Sequence, residues 1–129
     1  MKKIFIILIV FFLSGCSIGF VNESSTLMEK PFAVVTMQGD ITEATRCVGR
    51  YWQKSINEEL SAWWNVTVDS YQVKVTGPGG GNPPVGLVIN FDTVDGKTIA
   101  SAHLHRMFFS QKDPRRTVTL RALDACRSK

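Results

Sequence analysis

Apolar and polar positions change rhythm several times along the chain, and each rhythm predicts a different element. Ile4 to Leu13 is an unbroken apolar run of ten residues, shorter than the ~20 that a membrane-spanning helix needs. Residues 17–30 are polar and show no period. They read as a coil linker with a root-mean-square span of ~20 Å. Phe32 to Met37 is a β-type run. Gly39 turns the chain, and Asp40 stands three residues before Glu43, close to a capping box. Ile41, Ala44, Val48, Tyr51, Trp52 and Ser55 then recur at helical spacing. The helix is expected to end between Asn57 and Leu60. Arg46, Arg50 and Lys54 fall at i, i+4 and i+8 on another side and read as solvated surface.

Strand patterns dominate the second half. Val66 to Val75 reads as one strand, with Tyr71, Val73 and Val75 on one face. The stretch from Gly77 to Pro84 is a Gly/Pro loop. It lacks the Gly-Lys-Ser/Thr ending of a phosphate-binding loop. Val85, Leu87, Ile89 and Phe91 alternate strictly, Asp95-Gly96 is a two-residue hairpin turn, and a further strand runs from about Thr98 to Phe109. Asp113-Pro114 resembles a helix N-cap followed by Pro at the first helical position, but the β-branched Thr117-Val118-Thr119 favours extended chain there. The expectation is a turn or short strand, then a helix from Thr119 to Arg127 packed through Leu120, Leu123, Ala125 and Cys126. The predicted order is β-α-β-β-β-α. It implies a small α+β two-layer domain, an antiparallel sheet covered by two helices.

The N-terminus adds a location. Lys2 and Lys3 give a positive head to the apolar run, and small residues follow it, the pattern of a secretory signal peptide. Leu13-Ser14-Gly15-Cys16 resembles the lipobox of bacterial lipoproteins. The resemblance covers residues 1–16 and implies cleavage before Cys16, with lipid on its sulfur and amino group. Several acyl chains together give a stable membrane anchor. Ser17, in place of Asp, leans towards the outer membrane by the enterobacterial sorting rule. The expected organisation is 1–15 signal peptide, 16–30 lipidated Cys and flexible tether, and 31–129 a single periplasmic domain.

Cysteines and charge refine this picture. With Cys16 lipidated, Cys47 and Cys126 remain, and an exported domain meets an oxidising compartment. A Cys47–Cys126 disulfide is expected, tying the C-terminal segment to the first helix; neither residue has a local Cys-x-x-Cys or Cys/His partner. The formal charge of +4 hides an asymmetry: residues 16–96 hold five Lys/Arg and nine Asp/Glu, residues 97–129 eight Lys/Arg and two Asp. The basic end, including Arg115, Arg116 and Arg121, would meet an acidic protein, lipid phosphates or cell-wall carboxylates. Alternatively it pairs with the chain's own acidic half. Secretion separates it from nucleic acid.

Candidate chemistry is sparse. Neighbours on a strand point oppositely, so Trp63 and Trp64 cannot both face a strand's core. One ring exposed would suit a membrane interface or a partner; both rings can also pack in a bend. His103 and His105 share a strand face and are the candidate metal pair, with no third ligand nearby in sequence. Asp95 is explained by its turn, and Asp92 points away from the apolar face of its strand. No cofactor is expected. The pattern points to a non-enzymatic envelope lipoprotein, a binding or assembly module with an envelope protein or anionic envelope component as partner. A metal- or small-ligand-binding lipoprotein, an inhibitor or exclusion factor, and a hydrolase with a spatially assembled site are the other readings.

Overall fold

The computed structural model describes residues 21–60, 63–77, 84–108 and 113–129. The expected signal peptide, residues 1–15, and the expected lipidation site Cys16 lie outside the described residues. The elements in chain order are α1 (Glu23–Leu27), β1 (Ala33–Met37), α2 (Ile41–Glu58), β2 (Asn65–Val68), β3 (Gln72–Thr76), β4 (Val85–Val94), β5 (Lys97–Leu104), a 3-10 turn (Arg106–Phe108) and α3 (Pro114–Cys126). The five strands form one sheet in the order β1-β5-β4-β3-β2, and every neighbouring pair is antiparallel. The domain is α+β, as its patterning predicts.

The core follows from alternation. Met37, Ala100, Ala102, Leu104, Leu87, Ile89, Phe91, Val73 and Val75 lie on one sheet face and are buried. Against them pack Ala44, Val48, Trp52 and Ile56 of α2 and Val118, Ala122, Leu123 and Cys126 of α3. Asp40 caps α2 by accepting from the Glu43 N–H at 2.8 Å. The hairpin between β4 and β5 turns at Asp95 (φ 52°) and Gly96 (φ 75°), backbone angles that Asp tolerates and Gly favours. Cys47 of α2 and Cys126 of α3 form the disulfide, with Cα atoms 6.0 Å apart.

Four expectations need correction. The run from Val66 to Val75 is two strands, because Asp69-Ser70 turns the chain and the Asp69 N–H donates to the Gln72 carbonyl at 2.9 Å; Val73 and Val75 are buried while Tyr71 is exposed. The last helix begins at Pro114, not Thr119. Asp113 caps it through the Arg115 N–H at 2.9 Å, and burial of Val118 and Thr119 outweighs their β preference; Leu120 and Ala125 face outwards. The strand expected to reach Phe109 stops at Leu104, where the Phe108 N–H bonds back to the His105 carbonyl at 2.9 Å.

The fourth concerns the tether. Asn22 caps α1 with a full capping box, and α1 lies on the sheet face opposite α2 and α3. Thr26 is fully buried and donates to the Val85 carbonyl at 2.7 Å. Lys74 pairs with Glu23 at 2.9 Å, and Arg106 with Glu29 at 2.8 Å. Val88, on this second face, is buried too. The domain therefore begins before residue 31, and α1 adds part of a third layer.

The two sheet edges are treated differently. At β1 the C-terminal segment covers the end of the edge: Met37 bridges Arg127, Ser128 donates to the Thr36 carbonyl at 2.9 Å, and Gln38 donates to that of Cys126 at 3.1 Å. At β2 no described residue pairs with the outer side.

Candidate functional site

The pairings Asn65↔Thr76, Thr76↔Val85 and Leu87↔Leu104 put those strand termini at one end of the sheet. This end collects the Trp pair and the start of α3. Arg115 is 4% exposed. Its guanidinium carbon lies 3.7 Å from the Phe108 ring centroid and 4.5 Å from that of Trp64, and Nη1 donates to Asp113 Oδ2 at 2.8 Å. Nε has no hydrogen-bond partner among the described residues. Burial pushes the guanidinium pKa down, and Asp113 offsets only part of that fall. Arg115 is thus a core cation held by rings and one carboxylate, not the partner-contacting side chain that its sequence surroundings suggest.

The other basic residues of α3 are engaged as well. Arg121 donates to both carboxylate oxygens of Glu59, at 3.1 and 2.7 Å, which lowers the Glu59 pKa and raises that of Arg121. Arg116 is half-buried, with its guanidinium carbon 5.7 Å from the Phe32 ring centroid. Arg106 and Arg121 of the basic end pair with Glu29 and Glu59 of the acidic half, while Arg115 and Arg127 pair within the basic end, with Asp113 and Asp124. Trp64 packs beside Trp52, ring centroids 6.5 Å apart, and Trp63 is 74% exposed. One ring of the pair packs and the other faces out.

The two histidines are used locally. His103 Nδ1 lies 2.8 Å from the Glu29 carbonyl, at the end of the α1 segment. His105 lies beyond the strand, where its Nδ1 accepts from the Met107 N–H at 3.2 Å and its ring stands edge-on to Phe108. Among the described residues no three His, Cys, Asp or Glu side chains form a group that would hold a metal. No helix among them is long and apolar enough to cross a membrane.

The surface that patterning passed over lies between α2 and β2. Arg46, Gly49, Arg50 and Gln53 of the helix and Val66 and Val68 of the strand line a groove of about 310 Å³. A second hollow of about 400 Å³ shares Arg46 and Arg50 with it and continues along Glu43, Cys47, Tyr51 and Lys54. Arg46, Arg50 and Lys54 make no ion pair with a described residue, whereas Lys74, Arg106, Arg115, Arg121 and Arg127 each have a carboxylate partner. Like charges at i, i+4 work against a helix, and Arg46, Arg50 and Lys54 repeat at that spacing. Gly49 gives the groove its shape, because a Cβ there would collide with Cγ2 of Val68. A Gly inside a helix disfavours it by ~1 kcal/mol, and a Gly flanked by three like charges was the available sequence clue. Comparison with protein-family models, with curated proteins and with solved structures finds no match to this chain.

Proposed function

We propose that this chain is a lipid-anchored protein of the bacterial envelope and that its domain is a binding or assembly module, not an enzyme. The observation that carries this reading is the use of the cysteines. Cys47 and Cys126 bond to each other, which suits an oxidising compartment, and the third cysteine of the chain is Cys16, directly after Leu13-Ser14-Gly15. A small core stapled by one bridge, with most of its buried charge paired internally, serves as a rigid surface. Ser17 favours the outer membrane as the anchoring site, with the domain in the periplasm. The docking of α1 shortens the leash. From Cys16 to Val21 an extended chain reaches no more than ~18 Å.

Two measurements on cells test the reading. Wild type should incorporate an alkyne-tagged fatty acid and sediment with membranes, while Cys16→Ser should lose both. Absence of acylation in wild type refutes the anchor. In-cell crosslinking with mass spectrometry should return a specific envelope protein. A protein that captures none, yet turns over an envelope substrate, is not a binding module.

A further inference from the structure

The geometry points to the open edge of β2 as a docking site for an extended acidic segment of a partner protein, which adds a sixth strand to the sheet beside Arg46 and Arg50. The inference rests on the reading of the domain as a binding module and names its partner chemistry.

Hydrogen-bonding direction comes first. In an antiparallel pair, residues alternate between facing the neighbouring strand and facing away. The Asp69 N–H bonds to the Gln72 carbonyl, and the register runs Val68↔Val73, Thr67↔Lys74, Val66↔Val75. Thr67 and Asn65 therefore address β3, and Val66 and Val68 turn their N–H and C=O to the open side. Unpaired edges of this kind template the addition of a further strand. The opposite edge of this sheet is covered at Thr36 to Gln38 by the C-terminal segment, whereas along β2 no described residue pairs with the outer side.

Side chains set what can bind there. Val66 and Val68 point to the α2 side of the sheet, where Val68 is 43% exposed and the groove has Arg46 and Arg50 along its wall. An added strand would turn every second side chain into that groove. One helical turn separates Arg46 from Arg50, a rise of ~6 Å, and alternate residues of a strand lie ~6.7 Å apart. Two carboxylates at i and i+2 of the incoming segment can thus each meet one guanidinium, with bidentate bonds available to both. Lys54 extends the same positive field along the helix.

The test is a titration of the isotope-labelled full chain, in detergent micelles, with a blocked peptide of sequence Thr-Glu-Thr-Glu-Thr-Glu-Thr. The expected result is saturable binding, with backbone amide shifts concentrated at Val66 and Val68. Arg46→Glu/Arg50→Glu should weaken binding by about tenfold or more; both side chains are exposed, so the amide spectrum should otherwise keep its dispersion. Replacing Glu by Gln in the peptide should weaken binding likewise, and N-methylation of alternate peptide amides should abolish it. Absence of saturable binding at millimolar peptide overturns the proposal and leaves the cations as guards against edge-to-edge aggregation. Equal binding of the N-methylated peptide also overturns it, since strand pairing would then play no part. The titration needs no lipid on Cys16. Its failure alongside a partner crosslinked through another surface, such as Trp63, would sink the groove and keep the module.

Discussion

Arg115 and Arg121 sit on the same helix and show why a basic residue cannot be read from charge alone. Arg115 is enclosed by Trp64, Phe108 and Asp113, and Arg121 meets Glu59 in solvent. Arg115→Ala should destabilise the domain by ~3 kcal/mol, because it strands Asp113 and opens a void between two rings. Arg121→Ala should leave urea unfolding nearly unchanged, as exposed pairs add little. Comparable small losses for both would show that the enclosure of Arg115 carries no weight. Trp52 provides a second case. It is fully buried, and its Nε1–H donates to Thr119 Oγ1 at 3.2 Å. Thr119→Val keeps the volume but removes the acceptor, and should cost ~1–2 kcal/mol in the same assay.

At the scale of elements, α1 and the α2–α3 pair are held by different forces. Two ion pairs clamp α1 to the sheet. The hydrogen bond from Arg106 holds the Glu29 carboxyl below the usual glutamate range. A carboxyl depressed in the folded state contributes stability that is present above its unfolded pKa and lost as pH falls through the folded one. Hydrogen exchange at α1 amides should therefore accelerate below the ordinary glutamate range while α2 amides stay protected. Unchanged α1 protection at acid pH would mean that Thr26 and its apolar contacts hold the helix without the ions. The Lys74 ammonium is raised, chiefly by its hydrogen bond to Glu23, so its contribution is complete below its unfolded pKa and fades at strongly alkaline pH. The helix pair instead relies on a covalent staple. Cys47 and Cys126 are 79 residues apart in sequence, and closing that loop contributes ~4–5 kcal/mol through chain entropy. Cys47→Ala/Cys126→Ala should lower stability by about that amount in urea titrations, provided the reduced chain carries no compensating structure.

For the molecule as a whole, the placement of α1 gives the domain a direction. The chain enters through α1 on one sheet face, and the groove beside α2 opens on the other side. With the proposed anchor at Cys16 and its short leash, the domain would turn α1 towards the lipid and the Arg46/Arg50 groove away from it. A fluorophore at Met28, which is 86% exposed at the end of α1, should then be quenched by nitroxide-bearing lipids more strongly than one at Gln53, exposed on α2. Equal quenching would show that the leash imposes no orientation.

Local chemistry written into the sequence determined much of this protein. Alternation at Val85–Phe91, the Asp95-Gly96 turn and the helical stripe from Ile41 to Ser55 each encode their element through a period or a turn preference that neighbours alone satisfy. The disulfide was legible because only Cys47 and Cys126 remained once the lipobox resemblance claimed Cys16. Other features depend on residues distant in sequence. The early start of α3 required a core that buries Val118 and Thr119, and the ordering of α1 required Lys74, Val85 and Arg106 to come together beneath it. The fate of Arg115 hung on Trp64 and Phe108, brought to one end by strand register. The α2/β2 groove exists because a hairpin folds Val68 against Gly49 and leaves the far side of β2 without a partner among the described residues. Periodicity reports which face of an element is apolar; only tertiary contact decides which charges find partners and which edge stays open, since both are set by chain segments that no local window contains.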